Sequence, residues 1–137
     1  MTGHLLAKSS ATSMESMRSA LGKAFWSIAS HYGLTQKEQA VLLGIKLNKA
    51  RLSDHRSLKT IPDDPDKALR VSHLVGIHKN LRILFPNNRE VVYRWFKTPR
   101  PEFGGASAMD FIEEGGIESL PRLAAVRRLL DSIRVSE

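Results

Sequence analysis

Apolar residues return every three or four positions along most of the chain, and no segment shows the period-2 alternation of a half-buried strand. That regularity restricts the chain to an all-α fold. Met14, Met17, Leu21, Phe25, Ile28 and Tyr32 form the first stripe. It comes after a Thr12–Glu15 capping-box pair and precedes Gly33, a residue suited to the left-handed end of a helix. Thr35 and Glu38 repeat the capping box before AVLLGI. Asp64-Pro65 then supplies a cap and a first-turn proline for a segment with Leu69, Leu74, Leu81 and Leu84, broken at Pro86. Asn87 with Glu90 predicts the next start, and Ser107 with Asp110 another. Pro121 has no amide hydrogen and fits only a first turn, so the last helix starts near Ser119. Leu120, Leu123, Val126, Leu130 and Ile133 are its expected inner face.

With 137 residues, 42% of them apolar and 26% charged, the composition is that of a globular domain, or of two small ones sharing a core. The absence of cysteine excludes disulfides, thiolate metal sites and cysteine nucleophiles. No apolar run approaches the roughly 20 residues of a membrane span, and MTGHLLAKSSATS lacks the apolar stretch of a signal peptide. The expectation is a cytoplasmic protein with no membrane partner. Charge is unevenly placed within a net +7. Five basic residues oppose only Asp54 between Lys46 and Lys59, and eight oppose only Glu90 between Lys67 and Arg100. From Pro101 onward seven acids outnumber four bases. The first two stretches suit a polyanion and the third repels one.

The segment QKEQAVLLGIKLNKARLS, residues 36–53, has the spacing of a helix-turn-helix. Ala40 is small where two helices would cross, and Gly44 stands four residues later where the turn needs positive φ. Leu43, Ile45 and Ala50 are expected between the helices. The second helix would present Lys46, Asn48, Lys49, Arg51, His55 and Arg56 to DNA, with Asn48, Lys49 and Arg51 as the base readers. An ordinary helical hairpin with a solvated basic face would carry the same pattern. Residues 21–62 resemble Xre-like repressor domains.

RWFKTPRPEFGGASAMDFI is a helix end, a corner and a helix start. Pro99 and Pro101 force Thr98 and Arg100 into extended backbone, Gly104-Gly105 permits a turn closed to other residues, and Ser107 caps the next helix. Trp95, Phe96 and Phe103 supply faces to clamp the corner. Neither phosphate-loop pattern is present, and Ser107 lacks the G-x-S-x-G turn of a nucleophile. His31, His55, His73 and His78 would ligate metal only if they converge, and His73 and His78 miss the i,i+4 register. Asp63, Asp64 and Asp66 are better explained by favourable charge at a helix N-terminus. Glu113 and Glu114, neighbours on one helix, diverge by about 100°. No catalytic or metal-binding constellation emerges.

The run from His73 to Ile133 resembles the toxin-binding domain of Xre/MbcA/ParS-type antitoxins. The resemblance is carried by Leu81-x-x-Leu84-Phe85, Trp95-Phe96-x-Thr98-Pro99, Phe103-Gly104-Gly105 and Ser107-x-Met109-Asp110. Arg100 stands where the family often has asparagine, and Ala108 where it often has proline. The resemblance implies a type II antitoxin without a cofactor. It would neutralise a cognate toxin, commonly a RES-domain enzyme acting on NAD, and bind operator DNA to repress its own operon, as a homodimer or within a larger toxin–antitoxin complex. The implied organisation is a flexible tail over 1–13, a helix-turn-helix domain over 14–63 and a helical toxin-binding domain over 64–137. The charge reversal after Pro101 motivates Glu113, Glu114, Glu118, Arg127, Arg128 and Arg134 as the toxin-facing set. The competing readings are a stand-alone helix-turn-helix regulator whose C-terminal half dimerises or senses a ligand, and a small enzyme using Ser107 or a histidine.

Overall fold

A computed structural model describes the backbone of residues 2–136 and the side chains of residues 13–136. Its helices are α1 (Thr2–His31), α2 (Gln36–Leu43), α3 (Lys49–Leu58), α4 (Pro65–Leu84), α5 (Arg89–Arg94), α6 (Ala108–Glu114) and α7 (Ser119–Ser136). Single 3-10 turns at Trp95–Lys97, Pro101–Phe103 and Gly116–Glu118 bridge the later ones, and there is no strand among the described residues. The fold is all-α, as expected.

Local chemistry accounts for most of the boundaries. Thr35 Oγ1 accepts from the Glu38 amide while Glu38 Oε1 accepts from the Thr35 amide, the reciprocal box that satisfies two orphan donors of α2. Asp64 accepts from the Asp66 amide ahead of Pro65, and Ser107 Oγ from the Asp110 amide. Two starts differ from the sequence reading. α1 runs through Thr12 without a break, so the Thr12–Glu15 pair lies inside the helix; the Thr12 side chain and those of most of the 1–13 tail lie outside the described residues. Asn88 rather than Asn87 caps α5, its Oδ1 accepting from the Val91 amide at 3.2 Å.

The centre of the molecule is the pair of long helices α4 and α7, whose Val71, Leu74, Ile77, Leu81, Leu123, Val126 and Leu130 are buried. α1 packs on α4 through Phe25, Ile28, Ala29 and Tyr32, and α2 reaches both α4 and α6. One contiguous apolar cluster therefore runs from Phe25 to Leu130. Burial at about 25 cal/mol per Å² makes this shared core the main stabilising term. Met14, Met17 and Leu69 lie on the expected stripes but are exposed, because no element among the described residues covers those parts of α1 and α4.

Gly44 closes α2 at φ 67, its amide donating back to Ala40 and Val41. Ala40 and Leu43 are buried at the crossing. Ala50, expected between the helices, is exposed instead; α3 packs through Leu52, two residues further round. α3 packs on α2, and the chain leaving it is tied to α1. A Cβ on Gly22 would stand 2.4 Å from the Lys59 carbonyl oxygen, and Trp26 Nε1 donates to the Thr60 carbonyl at 2.7 Å.

Candidate functional site

The candidate DNA-facing surface is the turn before α3 and the first turn of that helix. Lys46, Lys49, Arg51 and Arg56 are exposed, and none has a carboxylate partner among the described residues. At about 100° per residue, Lys49 and Arg51 lie on either side of the exposed face, with Ala50 and Asp54 between them. Two of the expected DNA contacts are engaged within the chain. Asn48 caps α3, its Oδ1 accepting from the Arg51 amide at 3.0 Å, so the start lacks a Ser or Thr but not a cap. His55 is half-buried, with Nδ1 2.8 Å from Thr60 Oγ1. Burial, then the Arg51 charge, lowers the His55 pKa, with Asp54 opposing.

The prolyl corner sits where the sequence places it. Thr98 and Arg100 are extended, and Gly104 and Gly105 take φ 66 and 93. The Arg100 amide donates to Ala106 O and the Gly105 amide to Arg100 O, closing the loop on itself. Trp95 meets Phe103 edge-on at 6.3 Å, Phe103 stacks on Phe111 at 5.1 Å, and the Arg100 guanidinium lies 4.9 Å above Trp95. Pro99 is exposed on the bend, and the Ser107 hydroxyl is buried in its cap. Lys97 anchors the corner to the α1–α2 turn, donating to Gly33 O at 3.0 Å and to Glu38 Oε1 at 2.8 Å. No spacing in the sequence announces that contact, since its ends are 59 residues apart.

The expected toxin-facing set divides. Glu114 and Glu118 are exposed beside the turn between α6 and α7, and Glu113 is half-buried there, 3.8 Å from Lys37. Arg128 is exposed on α7, while Arg134 is half-buried. Arg127 is occupied: it crosses α4 over Gly76, where a Cβ would meet its Nε at 2.4 Å, and Nη1 donates to Ser72 O at 3.4 Å. Sequence reasoning missed Ile117, which stands 97% exposed at the tip of the same turn. It also missed Arg122, whose Nη1 donates to Phe111 O at 2.8 Å and pins α6 to α7.

A further cleft of about 820 Å³ opens between the end of α1, the second half of α4 and α5. His31 stacks on Tyr93 at 4.4 Å, and His78 lies parallel to the same ring at 6.5 Å. His78 Nδ1 is 2.9 Å from the Tyr32 hydroxyl. Two of the four candidate histidines thus share one tyrosine ring, but no group of three or more potential metal ligands exists among the described residues. Burial, then Arg82 and His31, lowers the His78 pKa; burial, then Arg127 and Arg128, lowers that of His73. With folded pKa values below the ordinary 6.5, the unfolded chain takes up protons first on acidification. Stability is therefore expected to be full above 6.5 and to fall as pH drops from there towards the folded values. Urea titrations across that window check this. His78→Asn, which keeps a partner for Tyr32, should flatten the slope.

Among the described residues no helix is long and apolar enough to cross a membrane. No solved structure matches the chain. A relative from Sinorhizobium fredii (strain NBRC 101917 / NGR234), the uncharacterized protein y4oB, is 34% identical over 112 residues, covering 82% of each chain. The family model of the antitoxin Xre/MbcA/ParS C-terminal toxin-binding domain matches residues 80–134, from the second half of α4 through the prolyl corner to the last turns of α7. With the corner, the caps around it, the end of α4 and most of α7 falling inside that match, residues 80–134 are a C-terminal toxin-binding domain of the Xre/MbcA/ParS antitoxin family.

Proposed function

We propose that this antitoxin binds its cognate toxin through the α6–α7 side of residues 64–137 and binds operator DNA through the start of α3 in residues 14–63. It represses its own operon as a dimer on a symmetric operator, in the cytoplasm. The toxin is a RES-type enzyme acting on NAD, and the antitoxin inhibits it by covering its site, with no chemistry or cofactor of its own.

The observation that carries the reading is the match to a toxin-binding domain over 80–134. Two features support its details. Lys46 in the turn before α3, and Lys49 and Arg51 in its first turn, stand free, the arrangement in which N-terminal residues of a recognition helix reach base edges. The acidic α6–α7 turn lies outside that basic surface and disfavours DNA.

Reversing Glu114 and Glu118 to arginine tests the toxin face. Like charges across an interface cost several kcal/mol, so toxin affinity is expected to drop by about tenfold or more. Operator binding should persist. Titration of purified toxin reads the first and a gel-shift assay the second. Unchanged toxin affinity in the double variant would move the contact off this turn.

A further inference from the structure

Two surfaces of the molecule face solvent with unmatched charge and opposite sign. The cleft between α1, α4 and α5 has Val75, Phe85, Val92 and Tyr93 among its walls and Lys79, Arg82 and Arg89 beside them. Its lining contains no acidic residue, and none of those three cations has a carboxylate partner among the described residues. The turn Gly116–Glu118 is the converse. Ile117 projects 97% exposed, flanked by Glu114 and Glu118, which are likewise unpaired among the described residues.

One exposed isoleucine is ordinary on a protein surface. The complementarity is what carries weight: an apolar knob ringed by acids and an apolar cleft rimmed by bases occur on the same chain. At about 820 Å³ the cleft falls in the range of sites that enclose whole ligands, so an isoleucine and the turn bearing it fit. The exposure of Ile117 also means that the knob does not fill the cleft of its own molecule.

We propose that the Ile117 turn of one antitoxin docks in the α1–α4–α5 cleft of a second copy, a head-to-tail contact between two different surfaces. Such a contact is heterologous, so it leaves a free knob at one end and a free cleft at the other and extends beyond two copies. It is too small to stand as a permanent interface and forms at high local concentration, as between copies brought together on adjacent DNA sites. Salt weakens it, because its rim is charged and exposed.

The test uses the full chain alone, without toxin, so it fails or succeeds independently of the toxin-binding reading. Sedimentation equilibrium of the wild type is expected to show weight-average mass rising from micromolar to millimolar protein, less so at high salt. Ile117→Asp removes the knob, and Arg82→Glu with Arg89→Glu reverses the cleft; each alone should abolish the concentration-dependent rise beyond a dimer. Mixing the two variants should restore association to a mass above that of either one alone, because the intact knobs of one then meet the intact clefts of the other. The restored contact also shows that both variants are folded. A wild type whose mass does not rise, variants that associate like the wild type, or a mixture no larger than its parts overturns the proposal. Cleft variants that instead lose only operator DNA or only toxin also overturn it, and assign the cleft to that partner.

Discussion

Phe96→Ala is expected to lower the free energy of unfolding by about 3–5 kcal/mol, the usual cost of emptying a buried aromatic site. Phe96 is 0% exposed, 5.7 Å from the Tyr32 ring, in the 3-10 turn that leads into the prolyl corner. Its removal opens a cavity where α1 meets the corner, and neighbouring Trp95 is committed to Phe103 and Arg100 and cannot fill it. A domain of this size has about 5–15 kcal/mol in total, so this one change removes a large share. Because the core is continuous, both DNA and toxin binding should weaken together as the temperature rises. Urea denaturation measures the effect; a destabilisation below about 1 kcal/mol would mean that the site collapses around the cavity.

Lys49→Ala combined with Arg51→Ala is expected to cut operator affinity by about 30-fold to 20,000-fold, taking about 1–3 kcal/mol for each base or phosphate contact. The two residues leave the helix roughly 160° apart and would touch different parts of the groove, so their effects should add. Neither substitution threatens α3. Both side chains are exposed, and the cap uses the backbone amide of residue 51, not its guanidinium. Toxin binding should be intact. The salt dependence of operator binding should also become shallower by about one unit for each phosphate that is no longer neutralised. An affinity unchanged by the double substitution would remove α3 as the recognition helix.

What was legible in the sequence was what neighbouring residues decide among themselves. Thr35 with Glu38, Asp64 with Pro65, Ser107 with Asp110 and the Pro99–Gly105 corner act over a few residues, and each stands where expected. Periodicity fixes which residues share a helix face but not whether anything arrives to cover it. Met14 and Met17 are therefore on the right stripe and exposed, and Ala50 yields its place to Leu52 on the buried side of α3. The functional surfaces were less legible. Lys97 with Glu38, Arg127 over Gly76 and the cleft around Tyr93 join residues tens of positions apart, and only the packed chain brings them together. Arg127 illustrates the consequence: a charge that looks available on α7 is spent on α4.

The prolyl corner has an architectural role. Its prolines, glycines and aromatics aim α6 and α7, and the exposed acids and Ile117 lie on those helices and the turn between them. Deleting α7 is consequently a poor probe of toxin contact, since Leu123, Val126 and Leu130 belong to the core. Surface charge reversals separate contact from folding where truncation does not.

The most direct measurement is affinity isolation of the full chain from its native host, followed by expression of the co-purifying protein with and without it. A stoichiometric partner that arrests growth alone, consumes NAD, and is harmless when the chain is co-expressed is the predicted result. A chain that purifies without a partner, or with one whose expression leaves growth unchanged, would contradict the assignment as an antitoxin.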